Sequence, residues 1–124
     1  MKKLLDEFDI HTEGTIALKA NYNSYDPFPA TTQPETLRVL AEYLKKNSRS
    51  LIMAERSGMG NTSTILKNRG IIDLSRKLGF TRLNLDTASP EDWYDAQAEV
   101  LHWRQRFKIA EFSKKPMKSS RPVV

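Results

Sequence analysis

Leu51-Ile52-Met53-Ala54-Glu55-Arg56-Ser57-Gly58-Met59-Gly60-Asn61-Thr62 is the stretch that decides the fold. Its first four residues are continuously apolar. They follow a helical pattern, which suits a strand covered on both faces, as in a parallel sheet. The next eight are polar and contain two glycines. They lead into a helical pattern with Ile65, Leu66, Ile71, Leu74 and Leu78, broken at Gly70 and closed by Gly79. A buried strand, a loop and a helix in this order are the core of a βαβ unit.

Upstream, Thr15 to Tyr22 read as a strand, with Ile16, Leu18 and Ala20 on one face and Lys19 and Asn21 on the other. Asp26-Pro27-Phe28-Pro29 is a rigid turn, because two prolines fix φ and remove two donors. Thr32-Gln33-Pro34-Glu35 predicts a helix start, with Thr32 as N-cap, a proline in the first turn and Glu35 completing a capping box. Leu37, Leu40, Ala41 and Leu44 form its apolar stripe, and Asn47 is expected as a left-handed C-cap. Residues 2–9 suit a short helix with Leu4, Leu5 and Phe8 on one side.

Downstream, residues 81–86 alternate and predict a half-exposed edge strand, with Leu83 and Leu85 on one face. Ser89-Pro90-Glu91-Asp92 resembles another helix start, followed by a Trp93, Ala96, Val100 stripe. From Trp103 the period changes to two, with Phe107 and Ile109 alternating against Arg104, Arg106 and Lys108. The expected architecture is therefore α/β: a small, open, mainly parallel sheet flanked by helices, like half of a Rossmann domain. The expected division is an α/β domain over 1–112 and a mobile basic tail over 113–124, which lacks any usable period.

Composition narrows the function. The formal net charge is +5, yet seven basic residues and one acid fall between Arg104 and Val124. The first 103 residues are then near neutral, at −1. The basicity belongs to the tail and not to a folded basic face, which argues against nucleic acid as the partner. Cysteine is absent. The chain can hold neither a disulfide nor a thiolate-bound cluster of its own, and no cofactor is expected in it. His11 and His102 are isolated, with no second ligand at helical spacing, so no metal site is expected. No apolar run approaches the roughly 20 residues of a membrane span, and the N-terminus lacks a signal-peptide pattern. The default expectation is a cytoplasmic protein.

In an open parallel sheet, ligands bind outside the carboxyl ends of the strands. Those ends offer Lys19, Asn21, Thr31 and Thr32 after the first strand, Glu55, Arg56, Ser57, Gly58, Gly60, Asn61 and Thr62 after the second, and Asp86 after the third. One reading has a small anion on the 58–62 loop, with Lys19 or Arg56 supplying positive charge. The loop is no P-loop, because no Gly-Lys-Ser/Thr follows, and Ser63 replaces the third glycine of the dinucleotide fingerprint. The competing reading makes Gly58 and Gly60 a tight turn and Asn61 or Thr62 a helix cap. For Glu55 and Arg56 it predicts structural ion pairs with separate partners, since adjacent strand residues face opposite ways. It makes Asp26 a turn-initiating side chain. No nucleophile–base pair can be named, so activity from this chain alone is not expected.

Four stretches also carry a resemblance: Lys19-Ala20-Asn21, Asp26 to Thr32, Pro34-Glu35-Thr36-Leu37-Arg38, and Ala54-Glu55-Arg56-Ser57-Gly58-Met59-Gly60. With the His102-Trp103 pair, they resemble the N-terminal part of the domain-of-unknown-function family 362, from about Gly14 to Ile109. The family usually has Lys-Pro-Asn where this chain has Lys19-Ala20-Asn21, and often His where Gln33 stands. The resemblance implies a prokaryotic protein. It also implies a family associated with iron–sulfur proteins, through a ferredoxin-like cysteine motif attached elsewhere. Family domains continue past the point matched by Phe112, so the resemblance implies a shortened member holding half of a site. A non-catalytic remnant, or an interaction module that self-associates or pairs with a partner chain, is the alternative to a ligand-binding domain.

Overall fold

The computed structural model describes residues 2–7, 14–96 and 107–110. A short helix α1 (Lys2–Glu7) precedes β1 (Thr15–Leu18), α2 (Pro34–Asn47), β2 (Ser50–Glu55), α3 (Thr62–Asn68), α4 (Ile71–Leu78) and β3 (Thr81–Asn84). Two single turns of 3-10 helix follow, Leu85–Thr87 and Pro90–Asp92, and then β4 (Trp93–Ala96) and β5 (Phe107–Ala110).

The first three strands form one parallel sheet in the order β1-β2-β3. Leu18 lies opposite Met53, and Met53 opposite Arg82. Leu51 and Met53 share a buried cluster with Leu37, Ala41 and Leu44 of α2 and with Ile65, Leu66 and Ile71 of the α3–α4 pair. Both crossovers therefore cover the same face, as two right-handed connections between successive neighbouring strands require. Ala54 and Leu83 are register partners on the opposite face, and both are buried as well. Met53, Ile65, Ile71 and Ala41 are fully enclosed. Burying each large apolar side chain among them stabilises the fold by about 1.5–3 kcal/mol.

The fold is the expected small open α/β sheet flanked by helices, with several local differences. The β1 ladder ends at Leu18, so Lys19 and Asn21 lie beyond the strand instead of within it. Thr32 is not the α2 cap. Its hydroxyl accepts from the Asn21 amide at 2.9 Å and its own amide donates to the Asn21 carbonyl at 2.8 Å, so it closes the preceding loop. Gln33 takes the cap position without a side-chain bond, and no capping box forms. Glu35 instead binds Arg38, which also reaches Glu42 at 2.6 Å. Asn47 stays helical and Ser48 is extended, because the chain runs straight into β2 two residues later. A left-handed cap would turn it away.

Gly70 and Gly79 do break and close the α3–α4 pair, both in the left-handed conformation. β3 stops at Asn84, whose side chain accepts from the Asp86 amide at 3.0 Å and bends the chain. The expected strand over 81–86 is therefore shorter, and Leu85 falls in the turn. Ser89 and Asp92 form their capping box, but the helix lasts one turn. Trp93 to Ala96 then pair antiparallel with Phe107 to Ala110. Pairing with a partner strand overrides the helical stripe, and Trp and Tyr favour that choice. Val100, Trp103, Arg104 and Arg106, Phe8, and residues 113–124 lie outside the described residues.

Candidate functional site

The carboxyl ends of the three parallel strands meet at Glu55, the last residue of β2. This residue is 1% exposed. Its even spacing from Leu51 and Met53 turns it toward the helix-covered side. A carboxylate buried this deeply must be paired and hydrogen-bonded. Lys19 Nζ donates to both oxygens, at 2.8 and 3.0 Å. The Tyr22 amide donates to Oε2 at 3.1 Å and the Arg56 amide to Oε1 at 2.9 Å. Lys19 also donates to the Ala20 carbonyl at 2.6 Å. One side chain thus ties the exit from β1 to the end of β2.

The neighbouring cation has a different partner. Arg56 Nε lies 3.3 Å from Asp86 Oδ1 in the turn after β3. Asp86 Oδ2 accepts from the Thr62 hydroxyl at 2.6 Å, and that hydroxyl accepts from the Ser57 amide at 2.8 Å. The Ser57 hydroxyl donates to the Tyr22 carbonyl at 2.6 Å. Glu55 and Arg56 therefore serve separate ion pairs, as their opposite strand faces predict.

The glycines are explained by the chain's own segment 21–25. The Gly58 amide donates to Asn23 Oδ1 at 2.8 Å and the Met59 amide to the Asn23 carbonyl at 2.9 Å. A Cβ on Gly58 would meet Asn23 Oδ1 at 2.6 Å, and one on Gly60 would meet the Tyr25 ring at 2.5 Å. Gly60 also has φ +153°, which a side chain would strain. Close approach of backbone is needed here, but protein fills the space. Asn61 caps α3, its side chain accepting from the Thr64 amide at 2.9 Å.

Asn21 and Thr31 complete the ring of loops. Asn21 Nδ2 donates to the Ala30 carbonyl at 3.1 Å, and its Oδ1 accepts from the Asn23 amide at 3.2 Å. Thr31 is buried and donates to the Asp26 carbonyl at 2.8 Å. The turn-initiating role expected of the Asp26 side chain falls to Ser24, whose hydroxyl accepts from the Asp26 amide at 3.2 Å and donates to the Asp26 carboxylate at 2.7 Å. All twelve candidate residues, Asp86 included, thus lie on or beside one edge of the sheet.

The sequence did not single out Tyr22, Asn23 or Tyr25. Tyr22 is fully buried and its hydroxyl has no partner among the described residues. Burial, reinforced by the nearby Glu55 charge, pushes its phenol up to about 12. Only its apolar ring at strand spacing could have marked it as core. Nothing in the pattern marks Asn23, whose contacts lie 35 residues away. Tyr25, Phe28 and Met59, in the loops that follow β1 and β2, are exposed.

The residues present do not fit an iron–sulfur cluster, since the chain has no cysteine. Among the described residues no group of His, Cys, Asp and Glu could hold a metal ion. No helix among them is long and apolar enough to cross a membrane. Ser57 donates to a backbone carbonyl, and both histidines lie outside the described residues, so no serine–histidine pair is assembled among the described residues. No curated protein and no solved structure matches the chain. One family does: its sequence profile covers residues 16–117, most of the 124-residue chain, and the protein belongs to Domain of unknown function (DUF362).

Proposed function

We propose that this chain is a ligand-binding domain that takes a small anion at the carboxyl edge of its parallel sheet. The orientation of its ion pairs carries this reading. The Lys19 side chain is 68% exposed while its partner Glu55 is 2% exposed, and Arg56 is 66% exposed against 34% for Asp86. The acids lie behind and the cations face outward, so the edge presents positive charge to solvent. The amides of Ser57, Gly58 and Met59 already donate within the chain. Lys19 already donates to Glu55 and Ala20 as well, so the Arg56 guanidinium is the group that receives the anion, with the Lys19 charge beside it. Exposed charges of this kind give weak binding, about millimolar. Inorganic phosphate titrated against amide chemical shifts tests this. The largest shifts are expected at 19–23 and 56–62, and Arg56→Gln should remove them. Shifts confined to 104–121 would transfer binding to the basic segment and refute the reading.

A second reading, self-association, is favoured by the β4–β5 ribbon. Tyr94 and Ile109 face each other across it and are both exposed. Among the described residues β1 and β3 are also unpaired edges, which template pairing with another chain. Sedimentation that stays monomeric across a concentration series would reject a second copy as the partner.

A further inference from the structure

A cleft of about 370 Å³ runs between α3, α4 and the outer edge of β3. None of Lys19, Glu55, Arg56 or the 57–62 loop lines it. Arg82 enters it from β3, on the helix-covered face, since its register partner is the buried Met53. Arg76 enters from the last turn of α4. Leu66, Ile72 and Phe80 supply an apolar wall.

We propose that this cleft is a second binding site, for a small molecule that carries a phosphate or carboxylate head on an apolar body. Two charges of the same sign converge here against a single carboxylate, the exposed Asp73. Arg82 makes no ion pair or side-chain hydrogen bond among the described residues. Arg76 reaches only Asp73, at 3.2 Å, and that carboxylate is 84% exposed, so water screens the pair. Partial burial, and then the neighbouring Arg76 charge, outweigh the Asp73 carboxylate and hold the Arg82 guanidinium below its usual range. A half-buried cation with a like-charged neighbour is relieved by a bound anion, and a planar guanidinium binds phosphate or carboxylate in bidentate fashion. Ser63 Oγ, which accepts from Asn84 Nδ2 at 3.0 Å, keeps its proton for a ligand oxygen. The adjoining leucine, isoleucine and phenylalanine call for an apolar body on the ligand, which a bare anion lacks.

Phenyl phosphate is the probe, followed by amide chemical shifts on the full chain. The largest shifts are expected at 63–66 and 80–84, with inorganic phosphate binding at least threefold more weakly. Arg82→Gln should weaken phenyl phosphate at least fivefold, while Arg56→Gln leaves it unchanged. If Arg82→Gln does not fold, the more exposed Arg76→Gln should still weaken binding at least twofold. Loss of binding in Arg56→Gln but not in Arg82→Gln would place the ligand at the strand-end site and overturn this proposal alone. So would a change in self-association in Arg82→Gln with phenyl phosphate affinity unchanged, because an acidic side chain of a second copy would then be the occupant.

Discussion

Removing Glu55 should cost far more stability than removing its partner Lys19, although the two share one ion pair. In Glu55→Leu the amides of Tyr22 and Arg56 lose their acceptor. Each orphaned buried donor costs about 1–3 kcal/mol, so the two together cost about 2–6 kcal/mol. In Lys19→Met the carboxylate keeps both amides, and water can enter where the 68% exposed lysine side chain lay. A pair with one solvated partner contributes little, and the expected loss is about 1–2 kcal/mol. Urea unfolding measures the difference. With a slope of about 2 kcal/mol per molar urea, Glu55→Leu should lower the midpoint by about 2 M and Lys19→Met by about 0.5–1 M. The slope should not change. A Lys19→Met loss equal to or larger than that of Glu55→Leu would show that the charge pair, and not the amide bonds, holds the strand ends together.

Three further variants probe the same edge. Tyr22→Phe removes a hydroxyl with no partner among the described residues, so its urea midpoint at pH 7 should equal or exceed that of the parent chain; a clear fall would reveal a hidden partner. The Tyr22 phenol is pushed up to about 12, above the unfolded value near 10, so the folded state keeps a proton that the unfolded chain releases. The stability it supports is complete below about pH 10 and is lost as pH rises toward 12, and Tyr22→Phe should flatten that loss in midpoints measured from pH 9 to 12. Gly60→Ala meets the Tyr25 ring at 2.5 Å and should cost about 1–3 kcal/mol, part of which Tyr25→Ala should restore in thermal unfolding of the double variant. Asn61→Ala loses the α3 cap and should cost about 1 kcal/mol in the same assay, with no change in slope if the loop above it survives.

Much of the fold was legible because it depends on short-range pattern. The apolar run at 51–54, the Leu37 to Leu44 stripe and the glycines at 70 and 79 act through neighbours within two turns, and each stands where the pattern puts it. The candidate site was legible as a place, since a parallel sheet brings all its carboxyl ends to one edge. Its wiring was not. Lys19 finds Glu55 36 residues away, and Asn23 finds Gly58 35 residues away. Nothing local in Asn23 distinguishes it from any loop asparagine. Thr32 shows the limit from the other side: its sequence suits a helix cap, yet its hydroxyl has a second possible acceptor role across the loop, and the loop wins.

The sequence by itself determined the α/β class, the parallel three-stranded core and the absence of any thiolate, because periodicity and composition are properties of the chain alone. Only the tertiary structure decided that Trp93 to Ala96 form a strand, since that choice waits on a partner at Phe107 to Ala110. It alone decided that Gly58 and Gly60 make room for Asn23 and Tyr25. It alone left Arg82 without an ion pair among the described residues, because the groups around a side chain are set by which distant segments pack beside it.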